Sequence, residues 1–319
     1  MPGITGMATT YNCPNYVGEL FNASPEDTPF LSAIGGLTGG ETTGSKVFSW
    51  SGYDLRDAED GRQRTEGAAA PSPESRKRFQ ATNVLEIHQE AFDVSYTQMG
   101  VRNMIATDGA ANVQGGPVSP IDEIAFQAQA QIKQVARDVE KSFLVGKFQN
   151  PTDNTQPRKT RGLAEAITTN VATSTHTADQ LTKDEILDLF QKVWDNGGIK
   201  ESETRTVIVG SAMKRILTKL FITDVQYREQ ERNVGGVNLK TFETDFGSAN
   251  IMLNRYAPEK TIIVCSLEQC APRFLEIPGK GHFFAEPLAK IGASERYQLY
   301  GEIGLQYGNE KTHGKLTCA

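Results

Sequence analysis

The feature that most constrains the fold is a single apolar stripe at helical period between about Ser119 and Lys147. Ser119 is a good N-cap residue, and Pro120 suits the first helical position because it has no backbone N–H to leave unsatisfied. The stripe predicts one helix roughly 40 Å long, which Gly146 would end. A helix of this length needs an equally long surface to cover its stripe, so a sheet or a second layer must lie beside it.

Residues 1–45 have the composition of an arm rather than of a compact domain. Prolines and glycines are dense in this segment, and they interrupt helices and strands quickly. Apolar residues nevertheless recur, and a segment that remained in solvent would not carry them. We therefore expect the arm to lie along another surface, with Phe21, Phe30 and Leu31 as candidate contacts between subunits.

Residues 46–95 predict two strands joined by a long polar connection. The first strand is Lys46–Tyr53 and the second is Thr82–Val94, both rich in residues that favour strands. In residues 51–90, 14 of 40 side chains are charged, which exceeds the 23% of the whole chain. A connection this long is usually functional or disordered, so we interpret it as an exposed hairpin, and the alternative is an ordinary mobile surface loop. Its candidate contacts between subunits are Phe48, Trp50, Arg62, Arg64, Glu66, Arg76, Lys77 and Arg78.

From about residue 160 the chain mixes helix and strand patterns. Thr182-x-x-Glu185 is a capping box that opens a helix, which Asn196-Gly197-Gly198 would end, and a second helix follows Ser211. Strands are predicted at Thr206–Val209, Val237–Phe242, Ala249–Leu253, Thr261–Cys265, Arg273–Glu276 and Tyr297–Tyr307. The apolar run at 206–209 indicates a strand that is buried on both faces.

The net charge of −6 and the four scattered cysteines exclude several classes of protein. A mildly acidic chain is not built to hold nucleic acid by general electrostatics, so any DNA contact would be non-specific. Cys265 and Cys270 are spaced too widely for a zinc knuckle, and we expect buried free thiols. No apolar run reaches the roughly 20 residues that cross a bilayer, and no secretory signal opens the chain. We therefore predict no membrane contact and synthesis in a cytoplasm.

Catalytic motifs occur only as fragments. Asp245-Phe246-Gly247 matches a kinase tripeptide, but the Gly-rich loop and the H-R-D loop are missing. The glycines at 35–40 lack the pattern of a phosphate loop, and the four histidines are not at metal-ligand spacings. We predict that the protein is not an enzyme and has no catalytic residue, metal or cofactor. The alternative that stays open is a site formed by residues that the sequence does not group.

Several stretches, taken in order, resemble one known family. The segment 24–31, Ser-Pro-Glu-Asp-Thr-Pro-Phe-Leu, is similar to an arm motif S-P-x-x-T-P-F-L. Further similar stretches are Phe48-Ser49-Trp50, 53–56, 83–97, the helix at 123–141, Asp245-Phe246-Gly247, Asn254-Arg255-Tyr256-Ala257-Pro258 and 297–302. Each motif is short, but together they cover nearly the whole chain. The family that they resemble is that of tailed-bacteriophage major capsid proteins, in the branch related to a large podophage of Escherichia.

The resemblance implies the major capsid fold shared by tailed phages and herpesviruses. This is an α+β fold with an N-terminal arm, an extension-loop β-hairpin, a peripheral domain with a long spine helix, and an axial α/β domain. The expected regions are the arm at 1–45, the hairpin at 46–95, the peripheral domain at 96–165 with its spine helix at about 119–147, a mainly axial domain at 166–300, and a C-terminal return toward the peripheral domain at 301–319.

The resemblance also implies the function of a major capsid protein, a late structural protein of the virion. Such a protein assembles with itself through hexamers and pentamers into an icosahedral shell around double-stranded DNA. Expected partners are scaffolding, portal and decoration proteins, and expected assembly is in the host cytoplasm. No long helical leader precedes the arm, so a scaffold would be a separate protein or a leader has been removed. The alternative function is that of a tail-tube or head–tail adaptor protein, which would form stacked or single rings.

Overall fold

The computed structural model describes residues 27–53, 55–56, 58–100, 123–200, 203–224 and 240–319. Contacts divide this part of the chain into two compact units. The larger unit comprises described residues of 27–89, 135–284 and 300–319, and the smaller comprises those of 90–134 and 285–299. Each unit therefore joins segments that are far apart in the sequence.

The described residues form six α-helices and thirteen β-strands. The helices are α1 (Pro29–Ile34), α2 (Tyr96–Gly100), α3 (Glu123–Val145), α4 (Leu163–Ala166), α5 (Lys183–Asp195) and α6 (Ser211–Asp224). The strands are β1 (Glu41–Thr43), β2 (Val47–Tyr53), β3 (Arg78–Val84), β4 (Glu86–Ser95), β5 (Val171–Thr173), β6 (Arg205–Val209), β7 (Thr241–Thr244), β8 (Gly247–Leu253), β9 (Thr261–Ser266), β10 (Ala271–Leu275), β11 (Phe283–Pro287), β12 (Ser294–Gln306) and β13 (Gly314–Thr317).

The larger unit contains a six-stranded sheet in the order β5-β13-β9-β6-β8-β7. β9 is antiparallel to both β6 and β13, and all of its residues are buried. Val207, Ile262 and Val264 of this sheet share one apolar cluster with Phe190 of α5 and Leu217 of α6. The apolar runs of β6 and β9 arise because a strand that is buried on both faces has no solvent side for polar residues.

The capping box predicted at the start of α5 is formed. The Thr182 hydroxyl accepts a hydrogen bond from the Glu185 backbone N–H at 3.4 Å, and the Glu185 carboxylate accepts one from the Thr182 N–H at 3.0 Å. Reciprocal bonds of this kind satisfy donors that the first turn of a helix otherwise leaves unpaired. The buried face of the helix follows at helical spacing, with Ile186, Leu189, Phe190 and Val193.

A second, five-stranded sheet has the order β1-β10-β12-β11, and its fifth strand, β4, also pairs with β12. β12 is 13 residues long and antiparallel to β10, so that Ile303 lies opposite Phe274. β1 is parallel to β10, with Thr42 opposite Phe274. This sheet therefore joins strands from the first hundred residues to strands from the last fifty.

The hairpin predicted from the sequence is present, but its return strand is divided. β2 and β3 form an antiparallel, two-stranded sheet. The prediction of one strand at Thr82–Val94 was wrong, because pairing with β2 begins at Arg78 and ends at Val84. The chain then enters β4 of the five-stranded sheet. Between the two strands, the Leu85 N–H donates to the Lys46 carbonyl at 2.9 Å, so the contact with the first strand extends one residue beyond β3.

The long helix is confirmed as α3, which is described from Glu123 onward. Its predicted start at Ser119 lies outside the described residues. Its end at Val145 agrees with the predicted terminator, since the Gly146 N–H donates to the Ser142 carbonyl at 2.8 Å. Gly146 also lies against the Thr160 carbonyl, an approach that a larger residue would block.

Two other predictions fall on residues outside the described part of the chain. Phe21, a candidate contact of the arm, precedes residue 27, where the description begins. The strand predicted at Val237–Phe242 reaches the described residues only at its end, where β7 begins at Thr241.

The strand order does not follow the predicted boundary between residues 300 and 301. β12 runs through this boundary, and β10 and β11 belong to the five-stranded sheet although they lie in the region predicted to be mainly axial. β13 then pairs with β5 and β9 of the six-stranded sheet. The last residues therefore join the sheet that residues 171–266 mostly build. Local patterns predict strands, but the choice of partner strand depends on long-range packing.

Candidate functional site

The hairpin formed by β2 and β3 has one polar face and one mostly apolar face. Residues directly opposite each other in an antiparallel pair share a face. The apolar face contains the pairs Phe48 with Asn83, Trp50 with Ala81, and Gly52 with Phe79. The other face contains the exposed pairs Ser49 with Thr82 and Ser51 with Gln80, with Val47 and the buried Val84 at its base and Tyr53 at its outer end. The middle of one side is therefore suited to packing and the middle of the other to solvent.

At the base of the hairpin the apolar face packs within the subunit. The Trp50 ring meets the Tyr307 ring edge-on, with centroids 4.9 Å apart, and its indole N–H donates to the Gly308 carbonyl at 2.6 Å. Phe48 is buried beside Trp50. Two of the aromatic residues predicted to contact a neighbour are thus used inside the subunit, where they hold the hairpin base.

At the outer end of the hairpin large apolar side chains remain exposed. The Phe79 ring lies against Gly52, which leaves room for it because glycine has no side chain, and Phe79 is 39% exposed. Tyr53 and Leu55 are 69% and 67% exposed. These three residues are not among the contacts predicted from the sequence, because alternation alone does not show which part of a strand the subunit covers.

The loop between β2 and β3 holds Arg62 and Arg76 in ion pairs of its own. Arg62 lies 2.9 Å from the carboxylates of both Glu74 and Glu59, and Arg76 lies 3.1 Å from Glu74. The hydrogen bond between Arg62 and Glu74 lowers the pKa of the carboxyl group and raises the pKa of the guanidinium. Exposed pairs add little to stability, so their main effect is on the shape of the loop.

The other charged candidates of this region are Arg64, Glu66, Lys77 and Arg78, all of them exposed. Arg78 is the first residue of β3, and the other three belong to the loop. Within the described residues, none of the four takes part in an ion pair. Their charges are available to a second molecule, and their contact with a neighbouring subunit stays a prediction.

Asn83 joins the hairpin base to two other segments of the subunit. Its buried side-chain amide donates to the Leu305 carbonyl at 2.7 Å and to the Arg161 carbonyl at 3.1 Å. Its Oδ1 accepts from the Val84 N–H at 2.9 Å and the Arg161 N–H at 2.8 Å. Since an amide has two donors and an oxygen with two lone pairs, the bonding capacity of Asn83 is fully used.

Glu86 makes a second buried connection at the hairpin base. One carboxylate oxygen accepts from the Thr160 N–H at 3.1 Å, and the other lies 2.8 Å from His88 Nε2. The Thr160 hydroxyl in turn accepts from the Leu305 N–H at 3.2 Å. The backbone at residues 160–161 is therefore bonded to the hairpin base by both Asn83 and Glu86, and the Thr160 hydroxyl also bonds it to Leu305.

The start of α1, at the root of the predicted arm, is held by Glu140 of α3. This buried carboxylate accepts from the backbone N–H groups of Phe30 at 2.9 Å and Leu31 at 2.6 Å, and from the Asn254 side-chain amide. Thr28 makes no capping bond with its side chain, so Glu140 satisfies N–H groups of the first turn. Burial raises the pKa of Glu140, and the three hydrogen bonds oppose that rise.

Three of the sequence motifs therefore meet around Glu140. Phe30 and Leu31 belong to the arm motif, Glu140 belongs to the helix motif, and Asn254 opens the motif at 254–258. The side chains of Phe30 and Leu31 are buried within the subunit, so both act as core residues here rather than as exposed contacts. The role of Glu140 was not predicted from the sequence.

Metal-binding and thiol chemistry gain no support from the part of the chain that the structure describes. No group of three or more His, Cys, Asp or Glu residues is placed there to hold a metal. Cys265, Cys270 and Cys318 are buried and free, and burial raises the pKa of Cys270 to about 12, which keeps this thiol protonated. None of the described helices is both long and apolar enough to span a membrane.

Comparison with known protein families decides which class the chain falls into. The model of the SU10 major capsid protein family matches residues 3–319. The chain belongs to the SU10 major capsid protein family. This confirms the resemblance based on the arm, hairpin and helix motifs. It also favours the predicted function, a major capsid protein of a tailed phage, over the tail-tube and adaptor alternatives.

A curated relative of this SU10-family chain is the major capsid protein of Escherichia phage Phieco32. It is 29% identical over 159 residues, which are 50% of this chain and 36% of the relative. The chain therefore matches only about a third of the length of that protein. The relative agrees with the predicted branch, which was described from a phage of Escherichia.

Solved structures of other capsids have a similar fold. The capsid asymmetric unit of cyanophage A-1(L) has a TM-score of 0.67 at 11% identity and covers 96% of both chains. The capsid of cyanophage P-SCSP1u has a TM-score of 0.60 at 12% identity and covers 97% of this chain and 93% of that chain. At such low identity the likeness concerns the fold, and it confirms the predicted α+β major capsid fold.

Proposed function

We propose that copies of this chain assemble through hexamers and pentamers into the icosahedral head of a tailed phage, around its double-stranded DNA. Family membership supports the role in a shell. The observation that carries the assembly mechanism is the hairpin, which is bonded to the subunit at its base and exposes large apolar residues at its outer end. A two-stranded hairpin is only marginally stable by itself, so its outer end gains from contact with a neighbour.

The outer hairpin would contact the next subunit through apolar and charged residues. Burying Phe79, Tyr53 and Leu55 would supply most of the affinity, because removal of apolar surface from water is favourable. The charges would fix the alignment of the two copies, through Arg62, Arg64, Glu66, Arg76, Lys77 and Arg78. Such a contact joins different surfaces of two copies, and contacts of this type generate rings when the rotation closes.

The arm, the two sheets and α3 would also have distinct roles in the shell. The arm at 1–45 would be fixed at its root by Glu140 and lie on a neighbour beyond it, with Phe21 as a contact. The five-stranded sheet and α3 would form the peripheral domain. The six-stranded sheet, including β13, would form the axial domain near the centre of each hexamer or pentamer.

Further partners would be scaffolding, portal and decoration proteins, and assembly would take place in the host cytoplasm. Contact with packaged DNA would be non-specific, since a net charge of −6 gives no general attraction for phosphate groups. The role is structural throughout, and we propose no catalytic activity and no cofactor.

The proposal is tested by negative-stain electron microscopy and native mass spectrometry of the full chain, expressed alone and together with the other head proteins of its phage. Closed icosahedral particles, or free hexamers and pentamers, are the expected result. Stacked tubes or single rings would favour the tail-tube or adaptor function. A monomer that persists in the presence of the other head proteins would contradict the proposal.

A further inference from the structure

We propose that Asn83 is the positioning residue of the hairpin, and that it fixes the direction in which β2 and β3 leave the subunit before any neighbour binds. This inference rests on the proposed function, in which the hairpin contacts another copy. It goes beyond that function by assigning the preset direction to one side chain.

The direction of the hairpin depends on its base. Beyond Val47 and Val84 one face of the hairpin is exposed, and at the outer end of the other face Phe79 is exposed beside the half-buried Gly52. The base is held by Asn83 and Glu86, which bond residues 160–161, and by Trp50, which bonds the Gly308 carbonyl. Rigidity at these few contacts therefore decides how far the outer end can move.

Asn83 is suited to fix the direction of the hairpin as well as the position of its base. It lies within the paired part of β3, opposite Phe48, whereas two of its bonding partners, Arg161 and Leu305, belong to other segments. It bonds both the N–H and the C=O of Arg161 and also the Leu305 carbonyl. One hydrogen bond allows rotation about its own axis, but bonds in several directions from one rigid amide group do not.

A fixed direction would favour assembly because it lowers the entropy that is lost when the hairpin binds a neighbour. When only a fraction of the molecules is competent to bind, the apparent affinity falls by that fraction. If loss of the Asn83 bonds left about one subunit in ten with a correctly directed hairpin, the concentration needed for assembly would rise about tenfold.

Asn170 provides a matched control in the same unit. It is also buried, and its side-chain amide donates to the Lys311 carbonyl at 2.7 Å and the His313 carbonyl at 2.8 Å. Its Oδ1 accepts from the Asn196 side-chain amide at 2.7 Å. Asn170→Ala therefore removes the same kind of buried polar junction as Asn83→Ala, but next to the six-stranded sheet.

The experiment measures the direction of the hairpin in the unassembled subunit. Spin labels are attached to Ser51→Cys on β2 and Arg215→Cys on α6, both exposed positions, in a Cys13→Ser background. Electron–electron double resonance then gives the distribution of distances between them. We expect a narrow distribution for the parent and for Asn170→Ala, and a broad one for Asn83→Ala. In assembly assays, Asn83→Ala should raise the critical concentration about tenfold relative to Asn170→Ala.

Equal broadening by both alanine variants, or no broadening by Asn83→Ala, would overturn the proposal. If Asn83→Ala does not fold, Asn83→Ser replaces it, because the hydroxyl keeps part of the hydrogen bonding, and a partial broadening is expected that still exceeds that of Asn170→Ala. Failure of both variants to fold while Asn170→Ala folds would also overturn it, since Asn83 would then be a folding residue. The distance measurement needs no shell, so a protein that never assembles refutes the proposed function without deciding the role of Asn83.

Discussion

The β2–β3 hairpin and the β6–β9 pair are both antiparallel strand pairs, yet they differ sharply in burial. All of β9 and four of the five residues of β6 are buried, whereas β2 has one buried residue in seven and β3 has two in seven. The β6–β9 pair is covered by the subunit along its whole length. The hairpin is covered only at its base. In the proposed shell, the sheet would mainly stabilise the subunit and the hairpin would mainly serve contact between subunits.

The largest expected contrast is between two phenylalanines, one from each region. Phe190→Ala, in the core beside the six-stranded sheet, should lower the free energy of unfolding by about 3–5 kcal/mol, because it leaves a cavity. Phe79→Ala, at the outer hairpin, should change it by about 0.5 kcal/mol or less while impairing shell formation. Denaturant unfolding of the unassembled subunit measures both, and similar losses from the two variants would break the comparison.

A smaller contrast is expected between two threonines. Thr182→Ala removes the N-cap of α5 and should cost about 0.5–2 kcal/mol in unfolding free energy. Thr82→Ala, on the exposed polar face of the hairpin, is the matched change and should have little effect in the same denaturant assay. A larger loss from Thr82→Ala would show that the hairpin face is part of the folded core.

A change of pH should alter the stability contributed by Glu140, at the arm root, and by Glu185, at the start of α5, in opposite directions. Burial raises the pKa of Glu140, so stability linked to Glu140 is highest below its ordinary pKa of 4.5 and is lost as pH rises through the raised value. Burial also acts to raise the pKa of Glu185, but hydrogen bonds from Ser174, Thr182 and His176 outweigh it and lower the value to about 2. Stability linked to Glu185 is therefore present above pH 4.5 and lost as pH falls toward 2.

Unfolding free energies measured across this pH range in Glu140→Gln and Glu185→Gln check the assignment. Glu140→Gln should weaken the decline in stability toward higher pH, and Glu185→Gln should weaken the loss at low pH. If both substitutions altered the pH dependence of the unfolding free energy in the same direction, the opposite pKa shifts assigned to Glu140 and Glu185 would be contradicted.

The smallest expected effect on folding comes from the loop of the hairpin. Arg62→Glu breaks the ion pairs with Glu59 and Glu74, but these groups are exposed, so the unfolding midpoint of the unassembled subunit should not move measurably. The same variant should reduce assembly if the charges fix the alignment of neighbours. A clear loss of stability would place the loop in the folded core instead.

The sequence predicted well those elements whose signal is local. The apolar stripe of α3, the capping box of α5 and the continuous apolar run of β6 all appear in the structure. The division of the return strand at Leu85 and the pairing of β13 were not predictable in this way. Both depend on partners that are distant in the sequence, and alternation does not identify them.

The candidate contacts show the same limit. Phe30 and Leu31 were assigned to contacts between subunits because their segment has the composition of an arm, but Pro29 begins a short helix there whose first turn binds Glu140. A signal for Glu140 did exist. It lies between Val139 and Phe143 on the buried stripe of the helix, where a charge requires a buried partner, although the stripe does not reveal that the partner is α1.

The most direct test of the division of roles is deletion of Gly61–Pro73, the central part of the hairpin loop. The variant and the parent chain are compared by denaturant unfolding and by electron microscopy of assembly reactions. We predict a folded subunit of nearly unchanged stability that forms no stable shells. Normal shells from the deleted chain, or a subunit that no longer folds, would contradict the account.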